Sequence, residues 1–407
     1  MTPSKTYCPA PFVHFYHKGT PVGKTCCMAR NTIIHKKSSK ETWANSRLNS
    51  VRQDVLDDKP ISDCEPCYKL EASGGHSDRQ YYLQKYGLDK SKFNVLTGNE
   101  FGKPIDLDLR PSNLCNLGCR MCGPHFSSTL QKESDKLPEL ADLNEPILPN
   151  KMLSDDDIDF LITDNPNLKR IKFLGGEPTI MPEVYKILDI VVDKGRQPAL
   201  GITTNCTNVN KRFIEYLKYF DNVTINMSID GVGETLEYIR HPVKYKIVDK
   251  NSKVLSELTE SVNINFVIQA LNLHNLNDFI NFTLSRGKSL DNVNSVIGRS
   301  PEGISPYYLP IIYRKKLLEQ VLDNDEINHD VFKRTFKPQL ETIYNSKEEL
   351  NIQHFLSRNM IFDKSRNAHL YNIMPEIKST IDEIILNIGK SSRLKPKLVE
   401  HYVEKEI

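Results

Sequence analysis

At Ile105-Asp106-Leu107-Asp108-Leu109 five residues alternate apolar and polar, the period of a half-buried strand. That strand leads into Asn113-Leu114-Cys115-Asn116-Leu117-Gly118-Cys119-Arg120-Met121-Cys122-Gly123-Pro124. Three thiols separated by three and then two residues can hold three corners of an iron–sulfur cubane. Gly118 and Gly123 give the loop the backbone freedom to curl around such a group. Three protein ligands leave one iron open for chemistry, as an open position does on catalytic zinc.

Downstream of this loop, strand and helix patterns alternate. The expected strands are Arg170–Leu174, Leu200–Thr203, Val223–Ile229, Val262–Ile268 and Val293–Ile297. The expected helices are Glu183–Val192, Arg212–Tyr219, Lys244–Leu258 and Leu276–Ser285. With the first strand this is a βα array of six strands, so the fold class expected is α/β, a partial (β/α)6 TIM-like barrel. Polar and glycine-rich signals fall at the carboxyl ends of the strands, where parallel barrels place their sites. The expected domains are a cysteine-rich, irregular module at 1–100, the barrel at 101–300 and a helical C-terminal extension at 301–407.

Composition sets outer limits. The chain has 407 residues with 54 Lys+Arg against 52 Asp+Glu, a balance that gives no global field to attract nucleic acid or an anionic membrane. Only Lys390–Lys397 is locally basic. No apolar run approaches the roughly 20 residues of a membrane helix, and Met1–Pro11 has no apolar secretory core. A cytoplasmic location is expected. Nine cysteines, an odd number and eight of them before residue 123, read as metal ligands rather than a disulfide framework.

Two features read as structural. Asp155–Asp157 after Ser154 is the acidic first turn of a capped helix rather than a hard-metal site. Ile377, Ile381, Ile384, Ile385 and Ile388 form one face of a packing helix that stops at Gly389.

The strand followed by Cys115, Cys119 and Cys122 resembles the radical S-adenosylmethionine (SAM) superfamily. The resemblance implies a [4Fe–4S] cluster on these three cysteines, as catalytic and metal-binding residues. Its open iron would chelate SAM, and one electron would yield a 5′-deoxyadenosyl radical that takes hydrogen from a substrate. Where the family usually has an aromatic residue this chain has Met121, which can still pack over adenine. Phe173-Leu174-Gly175-Gly176-Glu177-Pro178 matches the family's Gly-Gly-Glu-Pro motif, which cradles the methionine amino group through close backbone carbonyls. Thr204 and Asn205, then Ser228 and Asp230, end later strands at positions that imply contacts to SAM. Arg240 matches an arginine that grips the SAM carboxylate, and a guanidinium fork suits that group. Val267–Gln269 is expected to flank the adenine. Cys206 reads as a buried free thiol.

The N-terminal cysteines resemble the auxiliary-cluster modules, called SPASM and twitch domains, of many radical SAM enzymes. Those usually follow the barrel; here the module comes first. The resemblance implies an auxiliary [4Fe–4S] cluster on Cys8, Cys64, Cys67 and one of Cys26 and Cys27, with Cys27 favoured. A zinc knot is the other reading of the same cysteines. Glu71 and Arg79 read as an internal ion pair of a solvated loop, and His14 and His17 as structural residues. The family implies an electron donor such as flavodoxin or ferredoxin. Related auxiliary-cluster enzymes modify peptides or proteins, which makes a maturase-like activity the first expectation. A small-molecule substrate such as a carbohydrate or nucleoside is the second, and a non-catalytic zinc-binding interaction protein the remote third.

Overall fold

The computed structural model describes residues 6–17, 22–29, 32–34, 38–72, 76–87, 89–137, 139, 153–259, 261–287, 290–388 and 395–403. Gly389 and most of the basic Lys390–Lys397 stretch lie outside them. The central sheet has seven strands rather than six: β1 (His14–His17), β2 (Asp106–Leu109), β3 (Arg170–Phe173), β4 (Ala199–Thr204), β5 (Val223–Ser228), β6 (Ser261–Ile268) and β7 (Leu290–Ile297). They lie side by side in chain order. The pairs β1–β2, β2–β3, β3–β4 and β6–β7 run parallel. The fold is thus α/β with a parallel sheet, matching the expected partial barrel with one strand added.

The added strand corrects the reading of residues 1–100 as irregular. His14-Phe15-Tyr16-His17 is too short and too polar to stand out as a strand, yet it pairs with Asp106–Leu109 along its whole length. The segment after it is helical: α1 (Glu65–Ala72) and α2 (Asp78–Tyr86) replace the expected solvated loop. Ser77 caps α2 with a reciprocal Ser–Gln capping box. The expected Glu71–Arg79 ion pair forms, and Arg79 also donates to the Tyr7 carbonyl at 3.0 Å.

The chain divides into two compact units. One comprises residues 1–114, 148–204 and 209–225; the other comprises 115–147, 205–208 and 226–407. These boundaries cut across the three regions read from the sequence.

In the first unit the register pairs His14 with Asp106 and Asp106 with Arg170, then Tyr16 with Asp108 and Asp108 with Lys172. In-register residues of parallel strands share a sheet face, so one face is polar. The other carries Leu107, Leu109, Ile171, Phe173, Leu200 and Ile202, all essentially inaccessible. The polar face is covered as well. Asp106 is fully buried and is bound by Arg170, His14, Tyr86 Oη at 2.7 Å and Lys85 Nζ at 3.3 Å. Buried charge persists only when paired. Burial works to raise the Asp106 pKa, but His14 and Arg170 hold it well below the usual carboxylate range.

In the second unit α5 (Gly233–Ile239), α6 (Tyr245–Leu258) and α7 (Leu276–Leu284) accompany β6 and β7, with α8 (Ile352–Arg366) further on. The helices α3 (Pro182–Asp193) and α4 (Lys211–Tyr219) belong to the first unit. Ser154 caps its acidic turn as expected. The C-terminal isoleucine helix, Lys378–Asn387, buries Ile381 and Ile385.

Candidate functional site

The Gly-Gly-Glu-Pro turn closes β3 in the first unit, and each glycine there answers a steric demand. Gly175 has φ +108°, and a Cβ on it would stand 3.0 Å from Arg110 Cβ. A Cβ on Gly176 would lie 2.1 Å from the Leu114 carbonyl oxygen, a clash with backbone. The Glu177 N–H donates to that same carbonyl at 2.8 Å. The turn is therefore docked directly on the backbone that precedes Cys115.

Glu177 is buried, and its Oε1 accepts from Thr179 N–H at 3.1 Å, Thr179 Oγ1 at 2.7 Å and Thr204 Oγ1 at 2.8 Å. It ties the end of β3 to the end of β4. Two residues read from the sequence as SAM contacts, Glu177 and Thr204, thus bond to each other. Pro178 is buried beside them.

In the second unit none of Cys115, Cys119 and Cys122 is in a disulfide; Cys119 is buried and the others are half-buried. Side chains from the following helical turn hold the loop. Ser128 Oγ accepts from Cys115 N–H at 3.1 Å, and Thr129 Oγ1 donates to the Cys115 carbonyl at 2.7 Å. Backbone bonds join the loop to the end of α5: Gly118 N–H to the His241 carbonyl, 2.7 Å, and Arg120 N–H to the Ile239 carbonyl, 2.8 Å.

Asp230 and Arg240 are brought together. Arg240 Nε donates to Asp230 Oδ2 at 2.7 Å, and the other carboxylate oxygen accepts from Val267 N–H at 2.6 Å. Arg240 Nη1 approaches Cys119 Sγ at 3.9 Å. Burial disfavours the Arg240 cation, but Asp230 and Cys119 outweigh it and keep its pKa above the ordinary guanidinium value. Burial also raises the Cys119 thiol pKa, against the pull of Arg240. Asn205 Nδ2 donates to Asn116 Oδ1 at 3.0 Å, and Asn116 Nδ2 donates to Thr207 Oγ1 at 2.8 Å, fastening the loop to the chain beyond β4. Ser228 ends β5 half-buried. Cys206 is buried with φ +61°, and its carbonyl accepts from Asn251.

Several residues escaped the sequence reading. Arg120, inside the cysteine loop, is buried and donates to Asp363 and Asn359 of α8. Arg358 donates back to the Arg120 carbonyl at 2.6 Å, and Arg366 to the Gly118 carbonyl at 2.6 Å. These bonds seat α8 against the loop. Only its basic residues at 358 and 366 hinted at this, and charges on a helix normally read as solvated.

Three thiols in one loop are a donor set that an iron–sulfur cluster takes. In the first unit Cys8, Cys64 and Cys67 lie close enough for the latter two to raise the pKa of the first. Cys26 and Cys64 pack against the cluster of buried side chains that includes Cys8. Burial pushes the Cys64 thiol up to about 11. Such thiols stay neutral until a metal takes their protons.

Residues 109–283 match the radical SAM superfamily. The chain is 27% identical over 221 residues to molybdenum cofactor biosynthesis protein 1 of Mus musculus, covering 53% of this chain and 32% of that protein. It is 24% identical over 174 residues to GTP 3′,8-cyclase of Campylobacter lari, covering 42% and 47%. The chain spans about a third of the length of the molybdenum-cofactor relatives it matches. Among solved structures, native anSMEcpe with bound AdoMet aligns with TM-score 0.41 and 17% identity, over 54% of this chain and 60% of that one. Streptococcus suis SuiB bound to precursor peptide SuiA aligns with TM-score 0.38 and 16% identity, over 68% and 59%.

Proposed function

Because residues 109–283 match the radical SAM superfamily, we propose that this protein is an enzyme that uses a [4Fe–4S] cluster on Cys115, Cys119 and Cys122 to cleave SAM reductively. When bound, the cluster and SAM supply a 5′-deoxyadenosyl radical that abstracts hydrogen from the substrate. The observation that carries the reading is the cysteine loop itself: three thiols, with Arg240 beside Cys119, held by α8 and by the backbone after α5.

This chain's own residues would bind and orient. Arg240, fixed by Asp230, keeps one nitrogen at Cys119 and is a cation for the SAM carboxylate and the anionic cluster. Gly175 and Gly176 keep backbone accessible at the end of β3 for the methionine amino group. Glu177 positions that turn through Thr179 and Thr204. Asn205 and Ser228 are the remaining polar contacts in this reading, and Asp230 acts through Arg240.

Residues 1–100 are read as an auxiliary-cluster module with Cys8, Cys64, Cys67 and one of Cys26 and Cys27 as ligands. The substrate favoured by that module is a peptide or protein. A second reading, a nucleotide-like small molecule, is supported by the sequence relatives that include a GTP 3′,8-cyclase. The reductant would be a small electron-transfer protein such as flavodoxin or ferredoxin.

Anaerobic reconstitution, an iron and zinc count, and an assay for 5′-deoxyadenosine with SAM and a strong reductant test the proposal. About eight irons with turnover are expected. About four irons with turnover would remove the auxiliary cluster. Zinc without iron, and intact SAM, would overturn the catalytic reading. Deuterium from a labelled peptide in 5′-deoxyadenosine would fix the substrate class; deuterium from a nucleotide would replace it.

A further inference from the structure

We propose that His14, Cys27 and Asp108 form a binding site for one divalent transition-metal ion of the zinc type, distinct from the thiol sites described above. One ligand atom from each of the three lies within 4.8 Å of the others; His14 and Asp108 are buried and Cys27 is half-buried. The ligands of a tetrahedral ion are roughly 3.3–3.8 Å apart, so a small inward shift of side chains closes the set.

The topology explains why they meet. His14 and Asp108 stand on the same face of neighbouring parallel strands, two register positions apart. Cys27 comes from the turn that follows Val22–Lys24. His14 is 2% exposed, and its buried Nε2 faces the Cys27 thiol.

Three further features are those of a ligand set. The other ring nitrogen of His14, Nδ1, is held by Asp106 Oδ1 at 3.1 Å. A carboxylate at that position turns the other ring nitrogen toward a metal and raises its basicity, the metal taking the place of its proton. Asp106 is in turn fixed by Arg170, Tyr86 and Lys85, so the imidazole cannot swing away. Asp108 is oriented too, because Arg170 Nη2 donates to its Oδ1 at 2.8 Å. An imidazole nitrogen, a thiolate and a carboxylate oxygen make a mixed donor set that suits zinc and leaves a fourth position for solvent.

This assignment divides the adjacent cysteines. Cys27 meets His14 as well as Cys26, whereas Cys26 packs against the buried cluster that includes Cys8. Cys26 is then the thiol left to join Cys8, Cys64 and Cys67. The inference stands without the radical SAM reading, and the iron count separates the two.

The test uses the full chain, reconstituted anaerobically with iron and sulfide, desalted and titrated with Co²⁺ alone. One Co²⁺ per chain, with a thiolate-to-cobalt charge-transfer band that zinc displaces, is expected. Cys27→Ser should abolish the band while leaving the iron content unchanged. His14→Gln should weaken Co²⁺ binding at least about 10-fold. Because His14 is buried, its variant is read alongside far-ultraviolet circular dichroism; the half-buried, near-isosteric Cys27→Ser keeps the test decisive if His14→Gln fails to fold. No band in the parent protein, a band that survives Cys27→Ser, or loss of iron in Cys27→Ser would overturn the proposal.

Discussion

Arg120 and Asp363 form a buried ion pair, Nη2 to Oδ1 2.6 Å, between the middle of the cysteine loop and the C-terminal helix α8, 243 residues later. Both side chains are essentially inaccessible. Asp363 also accepts from Tyr238 Oη at 2.7 Å and from Leu370 N–H at 3.0 Å. A single carboxylate thus joins the loop, α5 and the turn after α8. Removing one partner of a buried pair typically costs about 3–5 kcal/mol, because the other charge is left unpaired. Asp363→Asn should lower the melting temperature and reduce iron retained by the Cys115 loop. Thermal unfolding and an iron assay on the reconstituted variant check both.

Gly176→Ala tests whether the close approach at the end of β3 matters. The added Cβ would meet the Leu114 carbonyl at 2.1 Å, and backbone cannot yield as a flexible side chain does. The turn should lift off the loop and weaken SAM binding by at least about 10-fold, roughly 1.4 kcal/mol. Equilibrium dialysis with SAM measures it. Unchanged affinity would detach this glycine from the site.

Asn116→Ala removes the amide that meets both Asn205 and Thr207. At about 1 kcal/mol per hydrogen bond the global stability should change modestly. The expected signature is a slower 5′-deoxyadenosine rate at full iron loading. A variant that loses iron instead would make Asn116 a folding residue of the loop.

The imidazole of His274 sets a pH window. Its Nε2 meets Thr235 Oγ1 at 3.0 Å, while Nδ1 is buried without a hydrogen bond. Burial lowers its pKa to about 4 from an ordinary 6.5, against the weaker opposing pull of Glu376 and Asp278. The folded state therefore resists protonation more than the unfolded chain does. As pH falls below about 6.5 the unfolded chain binds the proton first, so stability declines until about pH 4 and then levels. The loss is about 1.4 kcal/mol per unit of pKa difference. Denaturant titrations at stepped pH should show the slope, and His274→Gln should flatten it.

The parallel array was legible because Leu107, Ile171, Leu200 and Ile264 recur with strand period between helical segments. The turn at Gly175–Gly176 was legible for the same local reason: two glycines at a strand end announce a backbone position that tolerates no Cβ. His14–His17 was not legible. Its pairing energy comes from Asp106–Leu109, nearly a hundred residues away, and its histidines mask the apolar alternation. Asp230 and Arg240 were both named as SAM contacts, but their mutual ion pair depends on how α5 returns toward β6, which spacing does not reveal.

The sequence by itself determined the residue types and their local order: three thiols in a glycine-bearing loop after a strand, and a glycine turn after the next strand. These follow from periodicity and backbone sterics, which act over a few residues. The tertiary structure alone decided which distant charges meet: Arg120 with Asp363, and Asp106 with His14 and Arg170. Buried ions must find partners wherever the fold places them, and that requirement operates across the whole chain rather than along it.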